Sequence, residues 1–179
     1  MALGQAILIC LADGPLTGYE LAKTFDTSIG FFWRADHQQI YRELKRLGAD
    51  NLVASEHVIQ QGRPNKSVYS ITQKGREHLK FWAEERSPPS SIKDSMMVQL
   101  YGLDHVDVNH MRTHIEERLA RHRQVLKLYE RIAETKFGSS DPQDAGRVGK
   151  LLGLQLGIRY ERMWVGWCEY ALARMATLK

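Results

Sequence analysis

Cationic and donor-rich side chains are concentrated between residues 34 and 76. This segment carries eight Lys or Arg against four Asp or Glu, so its net charge of +4 equals that of the whole 179-residue chain. Five of the cations lie within 25 residues: Arg42, Lys45, Arg46, Arg63 and Lys66. Such side chains bind phosphate oxygens and donate to base edges, which indicates a nucleic-acid surface. A solvated basic face without a ligand is the alternative that charge alone leaves open.

Most of these polar side chains fall on one predicted helix that begins after Asp36. Asp36 as N-cap and Gln39 at the reciprocal position form a capping-box pattern. Spacings of four and three predict that Ile40, Leu44 and Leu47 face inward. The opposite face then presents His37, Gln38, Tyr41, Arg42 and Lys45. A helix that enters a major groove needs such donors. For Tyr41 a second interpretation is that its ring packs on the surface of the domain.

The elements around this helix have the order helix, helix, helix, β-hairpin. A short apolar helix is predicted at 2–12, and Thr17 with Glu20 forms a capping-box pattern that begins the second helix. Strands are predicted at 52–59 and 67–71, joined by a glycine- and proline-containing turn. This order predicts a winged helix-turn-helix with a two-stranded wing, in a chain that is mostly α.

A Ser-Pro-Pro-Ser-Ser run at 87–91 predicts a linker between two domains. Residues 1–86 would form the winged-helix domain, and 92–179 a helical domain for dimerisation. Residues 107–137 contain no proline or glycine, and a second long helix follows from 143. An apolar stripe typical of a coiled coil or bundle runs along the first long helix: Met111, Ile115, Leu119, His122, Leu126, Tyr129 and Ala133.

Glycines recur every four residues on the second long helix, at Gly149, Gly153 and Gly157. Each glycine costs a helix about 1 kcal/mol, so a packing gain from a closely approaching helix is expected to offset it. We therefore predict a dimer seam at these glycines. The candidate dimer contacts on the first long helix are Ile115, Leu119 and Leu126.

Three aromatic residues, Tyr160, Trp164 and Trp167, follow the glycines at spacings of four and three. They either line a pocket for a small aromatic effector or fill the core where helices meet. His110 and His114 share a helix face, a spacing that can bind a metal, but no third ligand is evident. We predict no metal and no cofactor.

The remaining composition narrows the class of protein. Cys10 and Cys168 are 158 positions apart within apolar segments, so buried reduced thiols are expected. No apolar run approaches the roughly 18 residues of a membrane span, and the N-terminal run lacks a basic leader, so a cytoplasmic protein is expected. No phosphate-binding glycine loop or nucleophile elbow is present, so we do not expect an enzyme.

Four segments give the chain a resemblance to the PadR family of bacterial transcriptional regulators. They are residues 14–21 (Gly-Pro-Leu-Thr-Gly-Tyr-Glu-Leu), 39–47 (Gln-Ile-Tyr-Arg-Glu-Leu-Lys-Arg-Leu), 62–64 (Gly-Arg-Pro) and 68–75 (Val-Tyr-Ser-Ile-Thr-Gln-Lys-Gly). Residues 116–123 and 160–164 resemble the longer branch of the family that includes AphA-like activators. The resemblance implies DNA binding and a dimer joined by C-terminal helices.

Residue by residue, the resemblance places one set of side chains near DNA: Gln39, Tyr41, Arg42 and Lys45 on the helix, with Arg63 and Lys66 on the wing. Arg46 is expected in solvent or in a salt bridge, because its position rotates it away from Tyr41 and Arg42. The sequence departs from the family between 47 and 52: Asn51 stands in place of a glycine and is expected to adopt left-handed geometry, and Gly48 is expected to loosen the helix end.

The function expected from these features is sequence-specific regulation of transcription. A homodimer would bind a pseudopalindromic operator, as a repressor rather than an activator. The alternative, from another class, is a winged-helix adaptor that uses the same fold for protein contacts without DNA.

Overall fold

The computed structural model describes residues 2–27, 29–31, 33, 35–59, 65–88, 93–138 and 142–178. The chain divides into two compact units, Met1–Pro88 and Pro89–Lys179. Within the described residues, no helix is both long and apolar enough to cross a membrane.

The first unit contains four helices and three short strands. The helices are α1 (Leu3–Ala12), α2 (Gly18–Thr27), α3 (His37–Ala49) and α4 (Gln73–Ala83), with a 3-10 turn at Ile29–Phe31; the strands are β1 (Leu16–Thr17), β2 (Val53–Val58) and β3 (Lys66–Ile71). The helices surround one apolar core, whose fully buried members include Ile7, Leu8, Leu11, Leu21, Phe25, Ile40, Leu44 and Leu47. The predicted inward face of α3 is therefore confirmed.

The sheet has three antiparallel strands in the order β1-β3-β2, rather than the two expected from the sequence. Strands β2 and β3 pair from Val53 opposite Ile71 to Val58 opposite Lys66, and β1 adds Leu16 opposite Tyr69 on the other edge of β3. A strand of two residues is too short to show the alternation by which strands are predicted. We call β2, β3 and their connection the wing. Strand β1 attaches the start of α2 to this wing.

The connection from α3 to the wing depends on Asn51, which has a φ of 58°. The predicted left-handed geometry at this position is thus confirmed, and it brings the Leu52 amide to within 2.9 Å of the Leu47 carbonyl oxygen. The α3 helix continues through Gly48 to Ala49. Gly75 is also required here, because a Cβ at this position would lie 2.3 Å from the Leu52 carbonyl oxygen.

The second unit is built on two long antiparallel helices, α6 (Val108–Lys136) and α7 (Ala145–Met175), preceded by α5 (Ser95–Tyr101) and a 3-10 turn at Leu103–His105. The Arg112 guanidinium at the start of α6 donates to the Met175 carbonyl at the end of α7. Arg147, at the start of α7, donates to the Lys136 carbonyl at the end of α6. Between these ends lies a second core, containing Met96, Met111, Ile115, Leu119, Trp164, Cys168, Ala171 and Met175. Both cysteines are buried, and neither forms a disulfide bond.

Candidate nucleic-acid interface

The start of α3 is fixed by the capping box that the sequence predicts. The Asp36 carboxylate accepts from the Gln39 amide at 2.7 Å, and the Asp36 amide donates to Gln39 Oε1 at 3.0 Å. Gln39 therefore uses its carbonyl oxygen to hold the helix start, and its Nε2 group is the part that can donate to a base or phosphate. The cap sets where the outer face of α3 begins.

The outer face of α3 carries the predicted polar residues in exposed positions: His37, Gln38, Gln39, Arg42 and Lys45. Ile40, Leu44 and Leu47 anchor the opposite face in the core. Because a core-anchored helix cannot rotate without exposing these side chains, the face that carries the outer donors and cations is fixed relative to the core. Such a surface can follow a groove and contact phosphates on its rims.

Tyr41 lies between this outer face and α2. A Cβ placed on Gly18, the first residue of α2, would be 2.4 Å from Tyr41 Cε1 and 2.6 Å from its hydroxyl oxygen. The side of the tyrosine thus packs on Gly18, while 48% of the residue remains exposed. Packing on the domain surface therefore describes one side of Tyr41, and the absence of a side chain at Gly18 permits this contact. Its DNA contact stays a prediction.

The start of α2 links α3 to the wing. Glu20 accepts from both the amide and the hydroxyl of Thr17 at 2.8 Å, and its own amide donates to Thr17 Oγ1 at 3.2 Å. These hydrogen bonds from Thr17 hold the pKa of the Glu20 carboxyl below its ordinary value, with a smaller contribution from the positive charge of Lys66. Lys66 is exposed at the first position of β3. The wing cation therefore lies in the field of the carboxylate that caps α2.

The wing holds one polar contact that the sequence did not indicate. The Ser67 hydroxyl and His57 Nδ1 are 2.9 Å apart on facing positions of β2 and β3, next to Lys66. Pairing between strands brings them together across ten residues, which no local pattern encodes. The predicted wing cation Arg63, with Gly62 and Pro64, lies outside the described residues.

Arg46 turns away from the outer face of α3, as expected. Its guanidinium contacts Glu43 at 2.7 Å and Asp50 at 2.8 Å, and the hydrogen bond to Glu43 raises the pKa of Arg46. This group packs close to α1, because a Cβ at Gly4 would lie 2.6 Å from Glu43 Oε1. Arg46 thus supports the side of α3 that faces its own unit.

The candidate dimer contacts have different environments. Ile115 and Leu119 are buried in the core that α6 forms with α7, and Leu126 is partly buried. Because these side chains are already buried or partly buried within one protomer, little of their surface remains to contact a second copy. Among the glycines of α7, Gly149 is exposed, Gly153 is intermediate and Gly157 is buried.

The aromatic residues of α7 form a cluster around Trp164. The Trp164 ring meets Tyr160 and Trp167 edge to face, at centroid distances of 6.4 and 5.5 Å. Trp164 is buried in the core, Trp167 is partly buried, and Tyr160 is exposed. Core packing therefore describes Trp164, whereas 52% of Tyr160 remains exposed.

His110 and His114 are both exposed on α6. His110 Nδ1 lies 3.8 Å from the Asp107 carboxylate, which caps the helix. Across the described part of the chain, no group of three His, Cys, Asp or Glu residues is arranged to hold a metal ion.

The two units together define a winged-helix protein with a C-terminal helical hairpin, and two known families match them separately. Residues 7–81 match the transcriptional regulator PadR-like family. Residues 92–176 match the family described as virulence activator alpha C-term. Each match falls within one of the two compact units.

Similar proteins extend the likeness over the whole chain. A Mycobacterium tuberculosis protein named "Probable transcriptional regulator Rv1176c" is 38% identical, over 94% of this chain and 95% of that protein. The negative transcriptional regulator PadR of Bacillus subtilis is 29% identical over 96% of each protein. The chain therefore belongs to the PadR-like family of transcriptional regulators, which are not enzymes.

Solved structures show the same fold. Bacillus subtilis PadR in complex with operator DNA superposes with a TM-score of 0.82, at 28% identity over 97% of each chain. The Vibrio cholerae virulence activator AphA gives a TM-score of 0.81, at 28% identity over 99% of each chain. The Bacillus protein has also been solved with p-coumaric acid, with a TM-score of 0.73 at 27% identity, over 98% of this chain and 96% of that one.

Proposed function

We propose that this regulator is a homodimer that binds double-stranded DNA at a pseudopalindromic operator. The observation that carries the proposal is the outer face of α3, where exposed donors and cations project from a helix that is capped at Asp36 and anchored by three buried side chains. The similarity to Bacillus PadR, which has been solved on operator DNA, supports the same use of the fold.

In this proposal α3 enters the major groove. Arg42 and Lys45 lie one turn apart, so one can donate to a base edge while the other contacts a phosphate. Gln38 and the Nε2 group of Gln39 add neutral donors, and His37, exposed at the helix start, would contact the nearest phosphates. Lys66 and Arg63 would contact the backbone or the adjacent minor groove from the wing.

The second copy would bind along the exposed face of α7. Four large apolar residues on this helix, Leu152, Leu156, Met163 and Tyr170, are 51–67% exposed. With the open glycines Gly149 and Gly166 they follow heptad spacing, which exposed Arg159 interrupts once, and we call the six apolar residues the α7 stripe. An apolar stripe of this length is costly in water, and another helix would cover it.

Regulation would be repression relieved by a small aromatic effector. The negative regulation named for Bacillus PadR supports the sign. The p-coumaric acid complex of that protein supports an aromatic ligand. In this chain the candidate contact is Tyr160, which is exposed and neighbours Trp164. Such a ligand would act by changing the packing of the C-terminal helices.

Fluorescence anisotropy with DNA from upstream of the protein's own gene, titrated with salt, tests DNA binding. If six to eight phosphates are neutralised per dimer, log K should fall against log salt with a slope of roughly −5 to −7. Arg42→Glu combined with Arg63→Glu should abolish the binding. Arg121→Glu combined with Lys127→Glu, an equal charge reversal at two exposed positions of α6, is the matched control.

The adaptor alternative predicts the opposite pattern. A protein that uses the winged helix for protein contacts would show weak, sequence-independent DNA binding. The double reversal at Arg42 and Arg63 would then change DNA affinity no more than the double reversal at Arg121 and Lys127 does, and the DNA proposal would have to be abandoned.

A further inference from the structure

A carboxylate is buried between the two long helices of the C-terminal unit. Glu161 on α7 is only 6% exposed, and within the described residues it is the one charged residue classed with the core. Its Oε2 atom lies 2.5 Å from Nδ1 of His122 on α6, whose side chain is 16% exposed. Regulation by DNA contacts and a dimer seam does not explain why an ionisable pair occupies this position.

The pair of His122 and Glu161 contacts an aromatic ring, which in turn contacts a second ion pair. The His122 imidazole stacks on the Trp164 indole with a centroid distance of 5.3 Å and an interplanar angle of 6°. The Arg118 guanidinium, one helical turn before His122, lies 5.0 Å from the centroid of the same indole. Arg118 in turn pairs with Asp94, the N-cap of α5. The contacts therefore run from Asp94 through Arg118, Trp164 and His122 to Glu161.

Most of the groups around His122 keep their charge near neutral pH. Arg118 is a permanent cation, and its hydrogen bond holds the pKa of Asp94 below its ordinary value. Burial raises the pKa of the nearby Cys168 thiol, so this group stays neutral. The neighbouring pairs Arg123 with Glu169 and Arg162 with Glu130 lie on the exposed sides of the two helices. Histidine is the residue type whose side chain ordinarily changes charge between about pH 5 and pH 8.

A buried carboxylate is costly unless a cation and hydrogen bonds compensate it. Protonated His122 supplies both, and its charge is also attracted to the face of the Trp164 indole. Neutral imidazole keeps at most a hydrogen bond and leaves the negative charge of Glu161 uncompensated. The packing of α6 against α7 is therefore favoured by the protonated imidazole.

We propose that His122 and Glu161 form a pH-sensitive clamp between α6 and α7, tighter when the imidazole is protonated and weaker as the pH rises. The clamp holds the inner face of α7, and the α7 stripe lies on its outer face. A pH-dependent change in operator affinity would follow only if the proposed dimer and DNA binding are correct. The clamp itself does not depend on them.

Histidine-selective NMR of the full chain between pH 5 and 9 tests the clamp directly. The His122 resonances are assigned by their loss in His122→Gln, and exposed His114 on the same helix is the internal reference. We expect His122 to bind its proton at least tenfold more tightly than His114. Glu161→Gln should reduce this difference to threefold or less.

Urea unfolding followed by circular dichroism at pH 6 and pH 8 is the second measurement. From pH 6 to pH 8 the free energy of unfolding should fall more for the wild-type chain than for His122→Gln. His114→Gln should show the same fall as the wild type. His122→Arg keeps Glu161 paired at both values and should remove the dependence even if Glu161→Gln fails to fold. Equal proton affinities of His122 and His114, or a wild-type pH dependence that survives both His122 variants, would overturn the clamp.

Discussion

The outer faces of α3 and α7 differ in a way that indicates what each helix binds. Both helices bury one face in the core of their own unit and leave the opposite face exposed. On α3 the exposed face carries Arg42, Lys45 and amide donors, whereas on α7 it carries leucine, methionine and tyrosine. A polyanion suits the first surface and an apolar helix the second. The two proposed partners, DNA and a second copy of the chain, therefore rest on the exposed faces rather than on the buried ones.

The largest effect should come from charge on the α7 stripe. Leu156→Glu places a carboxylate in the proposed seam, where a second copy would have to bury it, so the dimer should dissociate to monomers. Operator affinity should fall by about 100-fold or more, because each half-site would then be bound by a separate protomer. Light scattering coupled to size exclusion measures the mass, and anisotropy the affinity.

Leu128→Glu, the same substitution at an exposed position of α6, is the control for Leu156→Glu. It should leave both the mass and the affinity close to wild type. If Leu156→Glu remains dimeric at micromolar concentration, the apolar face of α7 does not bind a second copy, and the proposed difference between α3 and α7 is wrong.

A smaller loss is expected at the contact between α2 and α3. Gly18→Ala would place a methyl group within 2.6 Å of the Tyr41 ring and displace it. Operator affinity should fall by about tenfold, whereas the free energy of unfolding should change by only about 0.5 kcal/mol, because the half-exposed ring can move aside. Gly48→Ala on α3 is the matched control, because its new Cβ would meet only the Val53 carbonyl oxygen, at 4.0 Å. That variant should gain about 0.5–1 kcal/mol from helix propensity.

What the sequence could predict depends on how local each signal is. The capping box of Asp36 with Gln39 and the inward face of α3 lie within a few residues, and both were predictable. The left-handed geometry of Asn51 was predictable because few residue types tolerate it. The pairing of β1 with β3 was not, because a two-residue strand carries no periodicity.

The C-terminal helices show the limit of periodicity. The pattern indicated that Ile115 and Leu119 are buried, but not whether their partner is α7 of the same chain or a second copy. Glycines four residues apart drift by about 40° per step around a helix, so Gly149 and Gly157 need not share a face. Which of them is exposed depends on where α6 lies. The contact of His122 with Glu161 joins residues 39 positions apart, and no local signal marks it.

The junction between α3 and the wing should give a moderate effect on stability. Asn51→Ala places at a positive φ a residue that tolerates this conformation poorly. The free energy of unfolding should therefore fall by about 1–2 kcal/mol. Asn51→Gly should be neutral or stabilising at the same site. Urea unfolding of the two variants measures the difference. Equal stabilities would mean that the backbone relaxes to another conformation, with the orientation of the wing no longer fixed by this residue.

The smallest effect concerns acid, and it separates the two units. Arg118 holds the pKa of Asp94 below its ordinary value, so the carboxylate stabilises the C-terminal unit above the pKa of the unfolded chain, near 3.9. This contribution is lost as the pH falls through the lower pKa of the folded state. Asp94→Asn can still cap α5, so it should weaken the wild-type loss of stability below about pH 4 while leaving helix content unchanged. Urea midpoints measured from pH 7 to pH 3 test this, with exposed Asp104→Asn as the control. If Asp94→Asn and Asp104→Asn show the same acid dependence, the ion pair of Asp94 with Arg118 contributes no measurable stability. The apolar contacts of Met96 would then hold α5 in place.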